Sequence, residues 1–232
     1  MATDTPSRLP DLLIVGDSHS TALAEGAAAH GLSFEHLRLS GNYWHNGEVQ
    51  FSSDHGFTAR RRFAQNEIAR IRQALGGRRL IDPDLPVLAT FGWHLGRMVP
   101  PFMLLGHVAD QPAFDANPAA HFVSSAYLSA YAEARRDRLW RLAQRVARVA
   151  PLVMVAPPLP GNDGTMRAFR DTISAALRRK GVTVVDPAIE LLGGDGTLPE
   201  KWQTADRVHG NGAYGAALIG QMLDQGLVRR RG

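Results

Sequence analysis

The 232-residue sequence has no cysteine. A disulfide framework, a thiolate zinc site and a cysteine nucleophile are therefore excluded together. Lysine is nearly as scarce. Only Lys180 and Lys201 stand among the 26 basic residues, so the net charge of +4 is an arginine bias. It is spread in short bursts, at Arg60-Arg61-Arg62, Arg78-Arg79, Arg135-Arg136, Arg178-Arg179-Lys180 and Arg229-Arg230-Arg231. Nucleic-acid binding calls for a concentrated basic stripe with aromatic stacking partners. These bursts fall at element ends and on helix faces expected to be solvated, so no nucleic-acid partner is expected. No apolar run approaches the roughly 18 residues of a membrane span, and no span is expected. Before Gly16 and Asp17 only about five apolar residues stand together, short of the roughly 7–15 of a secretory segment. A cytoplasmic location is the expectation that follows.

What the sequence does have is the composition of a globular chain, 44% hydrophobic and 21% charged. Its length suits one domain, residues 1–232, with a long loop insertion at about 97–125. Asp11-Leu12-Leu13-Ile14-Val15, ending at Gly16, is apolar on both faces and predicts a buried parallel strand. Residues 20–30 predict a helix closed by Gly31. Residues 34–39 predict a second strand, followed by a Ser40-Gly41-Asn42 turn. An amphipathic helix over 60–75 places Phe63, Ile68, Ile71 and Leu75 on one side. Strands over 86–91, 152–156 and 182–185 alternate with helices over 127–149, 166–180 and 212–225. Such alternation specifies a parallel sheet covered on both faces. The segment 97–125 breaks the rhythm. Its Met98, Val99, Phe102, Met103, Leu104 and Leu105 need cover, either as part of the core or as a lid or acyl-binding wall.

Ligands of open parallel sheets bind at the carboxyl ends of the strands. Four loops bring reactive or glycine-marked residues to such ends: Gly16-Asp17-Ser18-His19, Ser40-Gly41-Asn42, Gly92-Trp93-His94, and Asp206-Arg207-Val208-His209 before the last helix. Ser18 lies between a strand and a helix N-terminus, where backbone N–H groups favour developing negative charge. A serine hydroxyl needs a positioned base. His209 suits that role, because a neutral imidazole can take the proton and return it to the leaving group. Asp206, three residues earlier, can hold the imidazole in the right tautomer. Taken singly, each has a plainer role: Ser18 as a helix cap, Asp206 as a turn residue, His209 as a surface residue.

Gly16-Asp17-Ser18-His19-Ser20 near the N-terminus, with Asp206-x-x-His209 near the C-terminus, resembles the SGNH (GDSL-like) hydrolase superfamily in the expected order across essentially the whole chain. The resemblance implies a flavodoxin-like three-layer α/β/α sandwich around a five-stranded parallel sheet, a count that the strand reading reaches independently. It implies Ser18 as nucleophile, His209 as base and Asp206 as its orienting acid, with no cofactor. It also implies an oxyanion hole from the N–H groups of Ser18 and Gly41 and a third-block asparagine.

Two blocks depart from the pattern. The Gly-x-Asn-Asp block reads Gly92-Trp93-His94-Leu95, so His94 stands in the asparagine's place. Either His94 donates to the oxyanion or Asn42 swings in from the second loop. The leucine usual after the serine is replaced by His19, a variant similar to that of SGNH-type domains associated with polysaccharide acylation and deacylation. Asp17 reads as a brace for the loop.

The remaining histidines show no metal-ligand spacing, and no metal is expected. The Leu192–Thr197 glycine run reads as a turn. Asn42-Tyr43-Trp44-His45-Asn46 and Trp93 either line a sugar or acyl site or cover the sheet edge. The expectation is an esterase acting on a carboxylic ester, such as an O-acyl group on a carbohydrate or small molecule. An O-acyltransferase using the same acyl-enzyme, or a carbohydrate-binding module that kept the fold without turnover, are the alternatives.

Overall fold

The apolar run at residues 11–15 forms strand β1 (Leu12–Gly16), every residue of which is buried. The structure, a computed structural model, describes residues 9–98, 107–117, 119–159, 164–187, 191–192 and 197–231. After β1 come α1 (Ser20–Ala29), β2 (Phe34–Arg38), α2 (Gly41–His45), β3 (Val49–Ser52), β4 (Gly56–Ala59), α3 (Arg62–Ala74) and β5 (Val87–Ala89). The chain continues through α4 (Leu95–Met98), α5 (Gln111–Ala116), α6 (Ser125–Ala147), β6 (Leu152–Val155), α7 (Gly164–Arg179), β7 (Thr183–Val185) and α8 (Gly212–Asp224).

Five strands pair in the order β2-β1-β5-β6-β7, all parallel. Successive residues of a strand point to opposite faces. Leu12 and Ile14 accordingly join one core with α1 and α8, whereas Leu13 and Val15 join another with α3, α6 and α7. The result is the three-layer α/β/α sandwich. Strand order reverses direction between β1 and β5, and such a switch point opens a crevice at the strands' carboxyl ends.

α1 and α8 meet backbone to backbone. A Cβ on Gly26 would lie 2.2 Å from the carbonyl oxygen of Gly215, and one on Gly215 would lie 1.7 Å from that of Ala22. No side chain larger than hydrogen fits at either position without moving a helix.

Several elements differ from the sequence reading. The turn expected at Ser40-Gly41-Asn42 is instead the start of α2, and β3 and β4 form an antiparallel hairpin behind it. Val49 and Phe51 of β3 turn inward while Gln50 faces out, a period-2 pattern too short to stand out. Phe63 is 57% exposed, because the buried stripe of α3 runs through Ala64, Ile68 and Ile71 and position 63 lies about 100° round the helix from Ala64. Its ring sits 6.0 Å from that of Tyr43.

Arg136, expected on a solvated face, is fully buried. Within 97–125, Met98 is buried in α4, α5 is N-capped by Asp110, and Val108 bridges Phe122. Val99, Phe102, Met103, Leu104 and Leu105, and residues 193–196 of the glycine run, lie outside the described residues.

Candidate active site

Ser18 follows the end of β1 by two residues and precedes α1 by two. Asp17 shapes that short connection. Its Oδ1 accepts the His19 N–H at 3.0 Å and the Thr90 hydroxyl at 3.0 Å, and its carbonyl accepts the Ser20 hydroxyl at 2.6 Å. His94 Nε2 lies 3.0 Å from the other carboxylate oxygen. Burial pushes the Asp17 carboxyl up, but the hydrogen bond from His94, the charges of His19 and His94, and the His19 amide together bring it down to about 2. Asp17 is thus an ionised brace at the floor of the loop that carries Ser18.

Asp206 and His209 come from the turn just before α8. Arg207 adopts a left-handed conformation (φ 57°), which tightens the turn and brings both side chains to one side. Asp206 Oδ1 accepts from the Thr204 hydroxyl at 2.7 Å, the Val208 N–H at 2.8 Å and the His209 N–H at 3.1 Å. These donors, led by Thr204 and Val208, hold its carboxyl far below the usual range. Its Oδ2 accepts from His209 Nδ1 at 2.6 Å. With the proton on Nδ1, Nε2 is free to accept, and it lies 2.7 Å from Ser18 Oγ. The two partners are 191 residues apart in sequence. The packing of α1 on α8 carries them together.

A neighbouring ring completes this corner. The His19 imidazole packs 4.6 Å from that of His209, and burial lowers its pKa. Its Nδ1 has no hydrogen-bond partner among the described residues.

Gly41 opens α2 opposite Ser18 and lines the same cleft. Trp44 fixes that helix: its indole N–H donates to the carbonyls of Gly16 and Leu39, and its ring stacks on Phe91 at 4.7 Å. As the first residue of a helix, Gly41 has an amide without an intrahelical acceptor. Neither its N–H nor that of Ser18 has a hydrogen-bond partner among the described residues.

His94 reaches the cleft on a loop forced into shape by Gly92 (φ 116°) and by its own left-handed backbone (φ 44°). Arg136 holds that loop from beneath, donating to the carbonyls of Trp93 at 2.9 Å and His94 at 3.1 Å and to His45 Nδ1 at 2.8 Å. The His94 ring packs so closely on Gly41 that a Cβ there would meet Cδ2 at 2.6 Å. Both His94 ring nitrogens are shielded from solvent, with Nε2 turned to Asp17, so the ring presents no N–H to the cleft.

The other expected site residues fall elsewhere. The Asn42 side chain accepts from Arg97 Nη2 at 2.7 Å at the exposed rim rather than entering the cleft. Trp93 is fully buried and donates to Ser174 of α7, so it belongs to the core. The cleft, about 440 Å³, is instead walled by Leu95, Pro157, Pro158, Met166 and Val208. Arg170 props that wall, donating to the Pro157 carbonyl at 2.8 Å and pairing with buried Asp186. The proline pair at the end of β6 was the available sequence signal, since a strand that stops on two prolines leaves their rings at the sheet's carboxyl edge. Among the described residues no group of three or more histidines and carboxylates is gathered to hold a metal ion.

No family model matches the sequence, and no curated protein sequence matches it. Solved structures are similar to it in architecture. An esterase from Pseudoalteromonas sp. shares 12% identity over 93% of this chain and 97% of its own (TM-score 0.45). A GDSL-like lipase from Bacteroides thetaiotaomicron shares 12% over 93% and 86% (TM-score 0.42). A variant of an acetyl xylan esterase from Geobacillus stearothermophilus shares 16% over 95% and 96% (TM-score 0.45). At such identities the likeness is one of fold, and the chemistry rests on the residues themselves.

Proposed function

We propose that the chain is a serine esterase that hydrolyses a carboxylic ester, an O-acyl group on a carbohydrate or small molecule, through an acyl-enzyme. The observation that carries the reading is the unbroken hydrogen-bonded line from Asp206 through His209 to Ser18. Ser18 Oγ attacks the ester carbonyl as its proton passes to His209 Nε2, and Asp206 stabilises the imidazolium. The tetrahedral oxyanion takes hydrogen bonds from the amides of Ser18 and Gly41. On collapse the C–O bond to the alcohol breaks, and the Nε2 proton goes to the departing oxygen. Water, deprotonated by the same nitrogen, then attacks the acyl-enzyme and frees the acid and Ser18. The apolar walls suit a short acyl chain. An O-acyltransferase would differ only in delivering the acyl group to a sugar hydroxyl instead of water.

A binding module without turnover is the second reading, favoured by the position of His94, which leaves two oxyanion donors. A fluorophosphonate probe with intact-mass detection separates the two. The esterase reading expects one adduct on Ser18, absent in Ser18→Ala and His209→Ala. An unlabelled wild-type protein that also leaves p-nitrophenyl acetate untouched would establish the binding module.

A further inference from the structure

A second concavity, about 350 Å³, lies on the flank of the molecule between the end of α2, strand β3 and α6. Arg60, Arg138 and Arg145 line it together with Asn46, Gly47 and Gln50, and no carboxylate does. The acids nearest in sequence are engaged elsewhere. Glu48 meets Arg61 at 3.3 Å, and Asp137 meets Arg141 at 2.8 Å and Lys180 at 3.7 Å. The side chains of Arg60 and Arg145 have no hydrogen-bond or ion-pair partner among the described residues.

Arg138 commits only one nitrogen, Nη2, which donates to the carbonyls of Trp44 and His45 at the end of α2. Its Nε and Nη1 are left over. Gly47 stands directly against them, and a Cβ there would come within 3.0 Å of Nη1 and 3.4 Å of Nε. The bare glycine therefore keeps that edge of the guanidinium open. Burial, and then the charge of Arg60, push the Arg138 guanidinium below its ordinary pKa. The groove thus gathers like charge and partly desolvates it without a counter-charge, a cost that a bound anion would offset. Arg136, two residues earlier on α6, is different: its donors are spent on the carbonyls of Trp93 and His94 and on His45 Nδ1.

We infer that this groove is a binding site for an oxyanion group, a carboxylate, sulfate or phosphate ester, held by the Arg60, Arg138 and Arg145 guanidiniums. Planar guanidiniums present paired N–H donors to such groups, and the rim amides of Asn46 and Gln50 add neutral donors. The groove shares no lining residue with the Ser18 cleft, so this site does not depend on the esterase reading. A free inorganic oxyanion and an acidic sugar chain carry the same chemistry.

Calorimetric titration of the full chain decides it, with ionic strength held constant by sodium chloride. The ligands are sodium sulfate, a galacturonate trisaccharide and its neutral galactose counterpart. Wild type should bind sulfate or the acidic trisaccharide saturably, and Arg60→Gln/Arg145→Gln should weaken that binding at least about tenfold, since two charge-assisted bonds are lost. Both arginines are exposed, so the double variant should melt no lower than wild type in the absence of anion, and relief of repulsion should raise its melting point slightly. Arg145→Glu alone should lower affinity further than Arg145→Gln.

Equal affinity for sulfate and the acidic trisaccharide assigns the site to free oxyanions, while a preference of about tenfold or more for the trisaccharide assigns it to an acidic glycan. The inference is overturned by equal binding in wild type and double variant, by no saturable binding of either anion, or by a neutral trisaccharide that binds as tightly as the acidic one.

Discussion

Asp206 has no burial to protect it, yet four hydrogen bonds converge on its two oxygens. Asp206→Asn would keep the shape and reverse one bond. The amide N–H₂ would donate to His209 Nδ1, move the ring proton to Nε2 and leave Ser18 facing a donor. The expected loss is about 10⁴-fold in kcat for p-nitrophenyl acetate at neutral pH, with an unchanged melting point. His94→Ala tests the opposite case. If the ring is a brace for Asp17, kcat should fall less than about threefold, well short of the 10²–10³ that a lost oxyanion donor costs. Stability should drop by about 1–3 kcal/mol in urea melts, because Asp17 loses a partner for its buried charge. Ser18, Asp206 and His209 were legible because each sits in a short motif whose residue types carry the chemistry. Trp93 was not, since an aromatic beside a strand end serves a wall or a core equally well. Its burial is decided by Ser174 on a helix some eighty residues on.

Apart from α2, which carries Gly41, the strands and long helices that flank the site have clear patterns, and the sequence shows them well. The misses follow from shortness or from reading composition in place of register. α2 and the β3–β4 hairpin have four or five residues per element, too few for a period to emerge. Arg135-Arg136 looked like any other arginine burst. However, Leu128, Ala132 and Arg136 stand four apart, and all three lie on the buried stripe of α6. That spacing was the signal that one of the two arginines turns inward. The α1–α8 contact sets the alignment of Ser18 and His209. Gly215→Ala must push the helices apart, since the added carbon would sit inside the Ala22 carbonyl's contact distance. A loss of about 1–3 kcal/mol is expected. kcat should fall while the fluorophosphonate adduct, when it forms, stays on Ser18. A melting curve and a labelling rate measured on the same sample check both effects.

Across the whole molecule, two half-buried histidines set the acid response. Burial, with Arg38 and Arg70 nearby, lowers His36 to about 4, and burial with Arg136 lowers His45 to about 4. The unfolded chain, with histidines near 6.5, takes up these protons first, so stability should decline as pH falls from about 6.5 towards 4. Protonating His45 also puts an imidazolium against the Arg136 donor that it accepts. Asp17 extends the decline below its ordinary 3.8 towards 2. Denaturant melts at pH 7.5, 5.5 and 4 should show the largest step across the histidine window. A profile flat to pH 4 would contradict this assignment. The five-stranded parallel sheet could be read as an architecture because apolar strands and amphipathic helices alternate. The long-range pairing could not, since no local pattern says which loops share an edge. The 191-residue separation of Ser18 from His209 also bears on biosynthesis. Ser18 is synthesised well ahead of its hydrogen-bond partner, and the two can meet only after α8 has been made and has packed on α1. On the proposed reading, a ribosome-bound fragment that stops short of α8 would therefore take no fluorophosphonate label.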